Sequence, residues 1–299
     1  MSTIRRITKL PAGISLVEIG IMLFATYGSW FAVQWLTTAT SLKDTPLVTS
    51  GCVLCQGVIP FVVLSLCCRK FEHRSAIDTV GIAPRYLLRD VTLGLMITTG
   101  IMSLFILIIT RAGWYHLTGV LSQQDILPLI VALIAAIGAP INEEIFFRGT
   151  LFRHLERYRG SWFALLVSSF LFGFGHSWRP YATWHSSLFL SIEVGILLAA
   201  TYILTRSLWI PMGMHFAWNV CEELLYGLPD SGTPAHVSVL HATISGPDLF
   251  TGGQFGPEAS IIIFTICLII DILILMLVLR QRRKASALHL YSTWLHNKG

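Results

Sequence analysis

The amino-acid sequence predicts an all-α membrane protein, a polytopic bundle of about eight transmembrane helices, and three observations support this. The chain has 299 residues, of which 54% are hydrophobic and 12% are charged, whereas soluble globular domains contain about 25% charged residues. The apolar residues are gathered in long runs separated by short polar stretches. The basic residues are distributed very unequally between alternate ends of these runs, as expected for the two sides of a membrane.

Eight apolar segments are long enough, or nearly long enough, to cross a bilayer as helices. The fifth and seventh segments are short, and each carries a single histidine, His176 or His215. The eight segments cover residues 13–36, 47–68, 90–110, 125–147, 161–177, 186–205, 208–226 and 259–280.

The segments also suggest how the chain is organised. The N-terminal anchor helices and a cytoplasmic loop are followed by a membrane core with the candidate chemistry, an external loop, and a last helix with a basic cytoplasmic tail. The corresponding ranges are 1–75, 76–226, 227–258 and 259–299.

Charge distribution predicts the orientation of the bundle. With the N-terminus in the cytoplasm, 18 of the 21 Lys and Arg residues fall on the inner side, and Lys43, Arg111 and Arg179 fall on the outer side. This split follows the positive-inside rule and predicts that both termini are cytoplasmic. The segment 227–258 has six Gly, four Pro and no Lys or Arg, and we expect an irregular external loop there.

Composition argues against two other classes of protein. The net charge of +5 is modest, and the basic residues flank apolar segments instead of forming one stripe, so we expect no nucleic-acid partner. The six cysteines lack zinc-ribbon spacing. Cys52 and Cys55 form a lone C-x-x-C pair, which we interpret as inert membrane thiols without an assigned function.

The fourth apolar segment ends in a group of charges that is costly at membrane depth. Glu143 and Glu144 follow an almost unbroken apolar run, and Arg148 comes four residues after Glu144. Each such charge costs ~2.5–3.5 kcal/mol at the centre of a membrane helix. Glu144 and Arg148 lie on one helix face at i,i+4 and are expected to form an ion pair. Glu143 is turned about 100° away and is left available as a general base or acid.

Helix geometry predicts which other polar residues reach the same depth. If a hairpin turns near Gly160, Glu143 and His176 both lie roughly 23–24 Å from the turn and should face each other. His215 should lie at a similar depth on a third segment. The arginines near the turn then place the site below the membrane surface on the inner side.

The i,i+4 spacing recurs around both histidines. Phe172 can brace the imidazole of His176, and His215 and Asn219 can direct hydrogen bonds at one point, as oxyanion stabilisation requires. Each of these features also has a purely structural explanation, because a buried ion pair or a lone histidine often only links helices. By contrast, Glu222 and Glu223 close the seventh apolar run, and we expect them at the outer membrane interface.

The same residues are compatible with a metal centre. His176, His215 and Glu143 are the residues that would bind zinc, since two histidines and a carboxylate are a common set of zinc ligands. The same residues can activate water without a metal. Motif spacing favours the metal-free alternative, because Glu144 is directed towards Arg148 and Asn219 is a poor zinc ligand.

In order along the chain, these residues form three motifs: Glu-Glu-x-x-x-Arg (Glu143, Glu144, Arg148), Phe-x-x-x-His (Phe172, His176) and His-x-x-x-Asn (His215, Asn219). Together they resemble the motifs of the CPBP or Abi family of intramembrane proteases, which includes type II CAAX prenyl endopeptidases and bacteriocin-processing proteins. The resemblance covers roughly residues 76–226.

The resemblance implies an intramembrane endopeptidase of a bacterial inner membrane that acts on a membrane-anchored peptide or protein. It implies that Glu143 and His176 activate water, that His215 and Asn219 stabilise the oxyanion, and that Glu144, Arg148 and Phe172 support the site. No cofactor is favoured, and zinc is the alternative. A non-catalytic immunity or scaffold protein of the same fold, or a transporter with buried acids, are the competing interpretations.

Overall fold

A computed structural model describes residues 11–39 and 46–296. Within these ranges, the side chains of residues 34, 36–39, 46–50, 52–54 and 287–296 are outside the description. The predicted interpretation of Cys52 therefore lies outside the described residues, as do the charges of Arg5, Arg6, Lys9, Lys43 and Lys298. Cys55 is an exposed free thiol.

The predicted apolar segments all fold as helices. The α-helices of the described residues are α1 Ala12–Ala39, α2 Pro46–Cys67, α3 Ala76–Val80, α4 Leu87–Arg111, α5 Ile126–Ala135, α6 Gly138–Phe146, α7 Arg153–Arg159, α8 Ser161–Phe174, α9 Trp184–Leu190, α10 Leu197–Thr205, α11 Trp209–Asn219, α12 Asp248–Thr251 and α13 Ile261–His296. The first three predicted segments correspond to α1, α2 and α4, and the fourth corresponds to α5 with α6. The last four correspond to α8, to α9 with α10, to α11 and to α13.

Several helices continue through π-helical stretches, which are often found near functional sites. These stretches are Cys68–Glu72, Phe147–Phe152, Ser191–Ile196 and Val220–Leu225. Within the described residues, five continuous helical stretches are long and apolar enough to cross a membrane, and Ser161–Phe174 is a shorter apolar helix. The fold class is thus confirmed as an all-α membrane bundle, while the number of eight spans stays a prediction.

The glycine-rich loop after α11 is more regular than predicted. Its strand β2 (Leu240–Ile244) pairs antiparallel with β1 (Tyr115–Val120), which follows α4. The loop also contains the short helix α12 (Asp248–Thr251) and a 3₁₀ turn at Pro257–Ala259. Residues 240–244 therefore depart from the expected irregular loop, because their backbone groups pair with those of β1.

Side-chain contacts separate the bundle into two ends. At one end, Arg153 and Arg157 both bind Glu72, and Arg206 binds Glu156. These residues come from segments that the charge pattern assigns to the same, inner side. At the other end, β1 pairs with β2, and Arg179 Nη1 lies 3.4 Å from Thr233 Oγ1. The relative grouping of loops therefore agrees with the charge-based topology.

The helix that carries the third motif packs against α4 at backbone distance. A Cβ atom added at Gly213 would lie 2.7 Å from the carbonyl oxygen of Val91, and one added at Gly94 would lie 2.5 Å from that of Ile210. Neither position has room for a larger residue, because such separations are below van der Waals contact. This crossing fixes the position of α11, and with it His215, relative to the bundle.

Candidate active site

Glu144 and Arg148 form the ion pair that their i,i+4 spacing predicts, and the pair is completely buried. Arg148 Nη1 donates to Glu144 Oε1 at 2.7 Å, and neither side chain is exposed. Arg148 Nη2 donates to the carbonyl oxygen of Gly195 at 3.1 Å, which links the pair to the π-helical stretch before α10. The guanidinium carbon also lies 4.6 Å from the centre of the Phe172 ring, within range for a cation–π contact.

His215 is attached to the same carboxylate. Its Nδ1 lies 3.1 Å from Glu144 Oε1, and the side chain is nearly buried. Because a carboxylate that is paired with arginine can only accept, Nδ1 carries the proton of this hydrogen bond. The other ring nitrogen, Nε2, therefore points away from Glu144 and lies 4.0 Å from Glu143 Oε2.

Glu143 and His176 face each other across the predicted hairpin. Glu143 Oε2 lies 3.9 Å from His176 Nε2. The same oxygen is buried and has no hydrogen-bond partner among the described residues. His176 Nδ1 lies 2.9 Å from the carbonyl oxygen of Phe172, which can only accept, so Nδ1 is protonated and Nε2 has a free lone pair when the ring is neutral.

The remaining predicted residues lie beside these groups. Phe172 is buried, and its ring centre is 5.1 Å from that of His176 and 5.8 Å from that of His215. Phe172 thus contacts both rings and not only His176. Asn219 is the last residue of α11, one turn after His215, and is half-buried. The structure thus brings Glu143, Glu144, Arg148, Phe172, His176 and His215 together, while their roles as site residues stay predictions.

A cavity of ≈ 60 Å³ opens onto Glu143 and His176, and the first helix forms part of its wall. Tyr27 and Trp30 from α1 line it together with Trp178, whose ring centre lies 5.3 Å from that of Trp30. The sequence of α1 contains no functional motif. In a continuous apolar helix, an aromatic residue that lines a cavity cannot be distinguished by sequence from one that faces lipid. The positions of Tyr27 and Trp30 therefore become clear only from the packing of α1 against α6.

The site lies at the opposite end of the hairpin from the turn near Gly160. His176 follows the C-terminal end of α8, and the cavity extends to Trp178 and Arg179, which the charge pattern assigns to the outer side. The expected position on the inner side is therefore wrong for that topology. A separation of roughly 23–24 Å from the turn crosses most of a ~30 Å hydrocarbon core and reaches its far half.

A zinc ion fits this arrangement poorly. Ligand atoms at about 2.0–2.2 Å from one ion are at most roughly 4.4 Å apart. Glu143 meets this limit with each histidine separately. However, Glu143, His176 and His215 are not among the groups of described residues whose potential ligand atoms all lie within 4.8 Å of one another. The two imidazoles are thus too far apart to share an ion with Glu143 in this geometry.

Fold and site together define a helical membrane protein with a buried centre of carboxylates and imidazoles. Residues 125–221 match the family model described as "Type II CAAX prenyl endopeptidase Rce1-like". A curated relative, "Putative membrane peptidase YdiL" of Bacillus subtilis (strain 168), is 31% identical over 100 residues. That alignment covers 33% of this chain and 38% of the relative's length. No solved structure matches the chain.

These matches confirm the family resemblance that the three motifs indicate. The matched range contains Glu143, Glu144, Arg148, Phe172, His176, His215 and Asn219. The protein is an integral membrane protein. Its residues 125–221, which lie within the predicted range of residues 76–226, are similar to type II CAAX prenyl endopeptidases of the Rce1-like kind.

Proposed function

We propose that this protein is an intramembrane endopeptidase that hydrolyses a peptide bond of a membrane-associated protein or peptide with Glu143- and His176-activated water. The observation that carries the proposal is the position of Glu143 Oε2, which is 3.9 Å from His176 Nε2 and 4.0 Å from His215 Nε2. These separations are too long for direct hydrogen bonds. They suit a water that makes two bonds of about 2.8 Å at an angle of about 90°.

The first chemical step follows from the protonation of His176. With Nδ1 donating to Phe172, the Nε2 lone pair can accept a hydrogen bond from the water while Glu143 removes the other proton. The resulting hydroxide attacks the peptide carbonyl carbon. Glu143 then carries the proton that the leaving amine needs when the carbon–nitrogen bond breaks.

Charge develops on the carbonyl oxygen during this attack, and we assign its stabilisation to His215 and Asn219. His215 can donate from Nε2 when both ring nitrogens carry protons, and the Glu144 carboxylate at Nδ1 stabilises that positive ring. Asn219 offers an amide donor one helical turn away. Arg148 neutralises Glu144 and so allows the carboxylate to remain ionised in a buried position.

The cavity suggests which substrate class reaches Glu143. Its wall combines the aromatic side chains of Tyr27, Trp30, Phe147 and Trp178 with the charged head of Arg179. Such a lining favours an apolar peptide segment with a polar or anionic group at its end. We propose that the substrate is a membrane-anchored peptide or protein in a bacterial inner membrane, with both termini of the enzyme in the cytoplasm.

The test compares the membrane peptides of cells that express wild-type protein, Glu143→Gln, or the control Glu223→Gln. Glu143→Gln retains the shape of the side chain and removes the base. We expect one or more cleaved peptides in the wild-type and control samples that disappear with Glu143→Gln, although the variant is present as folded protein. Identical peptide patterns in all three samples would contradict the proposal and favour a non-catalytic membrane protein of the same fold.

A further inference from the structure

A second group of carboxylates lies at the end of the bundle that carries the candidate active site. Glu222, Asp230 and Glu258 each offer one oxygen, and these three atoms all lie within 4.8 Å of one another. The residues come from three separate segments: the π-helical stretch after α11, the loop that follows it, and the 3₁₀ turn before α13. Three carboxylates do not approach so closely unless something offsets their repulsion.

Glu222 is the clearest sign that a partner is required. Its side chain is completely buried, and neither carboxylate oxygen has a hydrogen-bond partner among the described residues. The sequence context of Glu222 predicts a position at the membrane interface, because a pair of glutamates closes an apolar run there. The structure buries it instead, since the loop 227–258 folds over the end of α11.

The polar groups around the cluster do not replace a counter-ion for Glu222. Glu258 Oε2 accepts a hydrogen bond from Ser231 Oγ at 2.7 Å. Arg179 interacts electrostatically with Asp230 and Glu258, but one of its Nη atoms contacts Thr233 Oγ1 and its Nε has no hydrogen-bond partner in the described part of the chain. Arg179 therefore interacts with two of the three carboxylates, and neither oxygen of Glu222 has a hydrogen-bond partner among the described residues.

We propose that Glu222, Asp230 and Glu258 bind a hard divalent cation, with Ca²⁺ preferred to Mg²⁺. Ca²⁺ takes oxygen ligands at about 2.3–2.6 Å, so two of its ligand atoms can be up to roughly 5 Å apart. The 4.8 Å limit of this cluster satisfies that condition. Mg²⁺ requires about 2.0–2.1 Å and a nearly ideal octahedron with several waters. The cluster contains no imidazole or thiolate, which zinc would favour.

A cation here would fasten the loop to the helix of the third motif. Glu222 comes three residues after Asn219, and its carbonyl oxygen already accepts a hydrogen bond from Leu228 N at 2.8 Å. Asp230 is close enough to interact electrostatically with His176 and His215. The bound cation would therefore hold the loop 227–258 in place beside the candidate active site. The proposal concerns cation binding and does not depend on peptide hydrolysis.

The test uses purified full-length protein in detergent, freed of divalent ions with EDTA and returned to buffer near neutral pH. We expect calorimetric titration with CaCl₂ to show one bound Ca²⁺ per chain with a Kd of about 1 mM or lower. At a hundredfold excess over Kd, Ca²⁺ should raise the Tm by about 5 °C or more. MgCl₂ should bind at least about tenfold more weakly, since its coordination geometry is less suitable.

Matched variants separate this site from non-specific binding. Glu222→Gln and Asp230→Asn should lose the Ca²⁺-dependent rise in Tm, whereas the neighbouring Glu223→Gln should keep it. If Glu222→Gln does not fold, Asp230→Asn at a half-buried loop position provides the same readout. Absence of saturable Ca²⁺ binding to the wild type up to about 10 mM would overturn the proposal and indicate protonated carboxyl groups instead. Unchanged affinity in both variants would also overturn it.

Discussion

Glu144 and His215, which are 71 residues apart in the chain, are joined by a 3.1 Å hydrogen bond between Oε1 and Nδ1. The same oxygen receives the Nη1 hydrogen of Arg148 at 2.7 Å. One carboxylate thus neutralises a buried guanidinium and orients an imidazole. This makes Glu144 a positioning residue for His215 in the proposed reaction, in addition to a partner of Arg148.

Removing Arg148 alone should therefore destabilise the fold more than removing both charges of the pair. Arg148→Ala leaves Glu144 as an uncompensated buried charge, which costs about 3–5 kcal/mol and should lower the yield of folded protein. The neutral pair Glu144→Gln with Arg148→Met should recover much of that yield but cleave peptides slowly, because His215 loses its anionic partner. Yield is measured by size-exclusion chromatography and activity by substrate cleavage.

Arg85→Ala is a suitable control for this comparison. Arg85 is exposed, and its guanidinium carbon lies 4.7 Å from the ring centre of the neighbouring Tyr86. Substitutions at such surface positions usually change stability by about 0.5 kcal/mol or less. Its yield should equal that of the wild type. A folded, fully active Arg148→Ala protein would show that the buried pair supports neither stability nor the position of His215.

The aromatic residues of α1 should affect substrate binding more than the chemical step. Tyr27→Ala and Trp30→Ala enlarge the cavity beside Glu143, so we expect KM to rise several-fold with a smaller change in kcat. Phe24→Ala is the matched control, since Phe24 lies on the same helix and is 80% exposed. Steady-state kinetics on the identified substrate measure the effect. Equal KM values in all four proteins would remove α1 from the substrate site.

The side of the membrane on which each loop lies can be tested with reporter fusions. The fusion positions are chosen so that some lie at the same end of the bundle and others at the opposite end. Fusions after residues 120 and 240 lie in the paired strands β1 and β2, and both should report the external side. Fusions after residues 158 and 290 should report the cytoplasm, as the positive-inside rule predicts. Opposite readings at 120 and 240 would contradict the β1–β2 pairing, and an external reading at 158 would invert the topology.

Acid should weaken the contacts that tie α7 to the end of α2. Burial alone would raise the pKa of Glu72, but the charges and hydrogen bonds of Arg153 and Arg157 outweigh it and hold the pKa at about 2 instead of 4.5. Because the folded pKa is lower than the unfolded one, Glu72 stabilises the fold above pH 4.5. This stabilisation is lost as the pH falls towards 2.

The corresponding measurement is the Tm of wild type and Glu72→Gln between neutral pH and about pH 2. The variant should melt at a lower temperature near neutral pH, and the gap between the two proteins should narrow as the pH falls through the window from 4.5 to 2. Parallel melting curves over the whole range would indicate that the contribution of Glu72 does not depend on its charge.

The contacts of this site that depend on spacing along the chain could be predicted from the sequence. The i,i+4 rule identified the Glu144–Arg148 pair, and a rise of 1.5 Å per residue brought Glu143 level with His176. The bond from Glu144 to His215 could not be predicted, because it depends on how α6 and α11 pack. It also depends on where α4 holds α11, at the close contacts of Gly94 and Gly213, and these contacts become visible only when the two backbones meet.

Prediction failed where a residue's environment is created by a distant segment. Glu222 has the sequence context of an interfacial residue, and it is buried because the loop 227–258 covers it. Likewise β2 has few strand signals of its own and forms by pairing with β1, more than a hundred residues earlier. Hydropathy and charge are properties of single segments, so they predicted the helices and their ends better than these contacts.

We expect peptide cleavage at the candidate active site to require no zinc. Two imidazoles and Glu143 would all have to approach one ion at about 2.0–2.2 Å, and the present positions of His176 and His215 do not allow this without movement. Glu144, which lies close to His215, is already bonded to Arg148, whose positive charge opposes a dication. We therefore expect 1,10-phenanthroline, which binds zinc far more strongly than Ca²⁺, to leave peptide cleavage unchanged in buffer that contains Ca²⁺. Elemental analysis of the purified protein should find well under one zinc per chain. Stoichiometric zinc whose removal stops cleavage and whose return restores it would overturn this prediction. It would also require His176, His215 and Glu143 to rearrange around the ion.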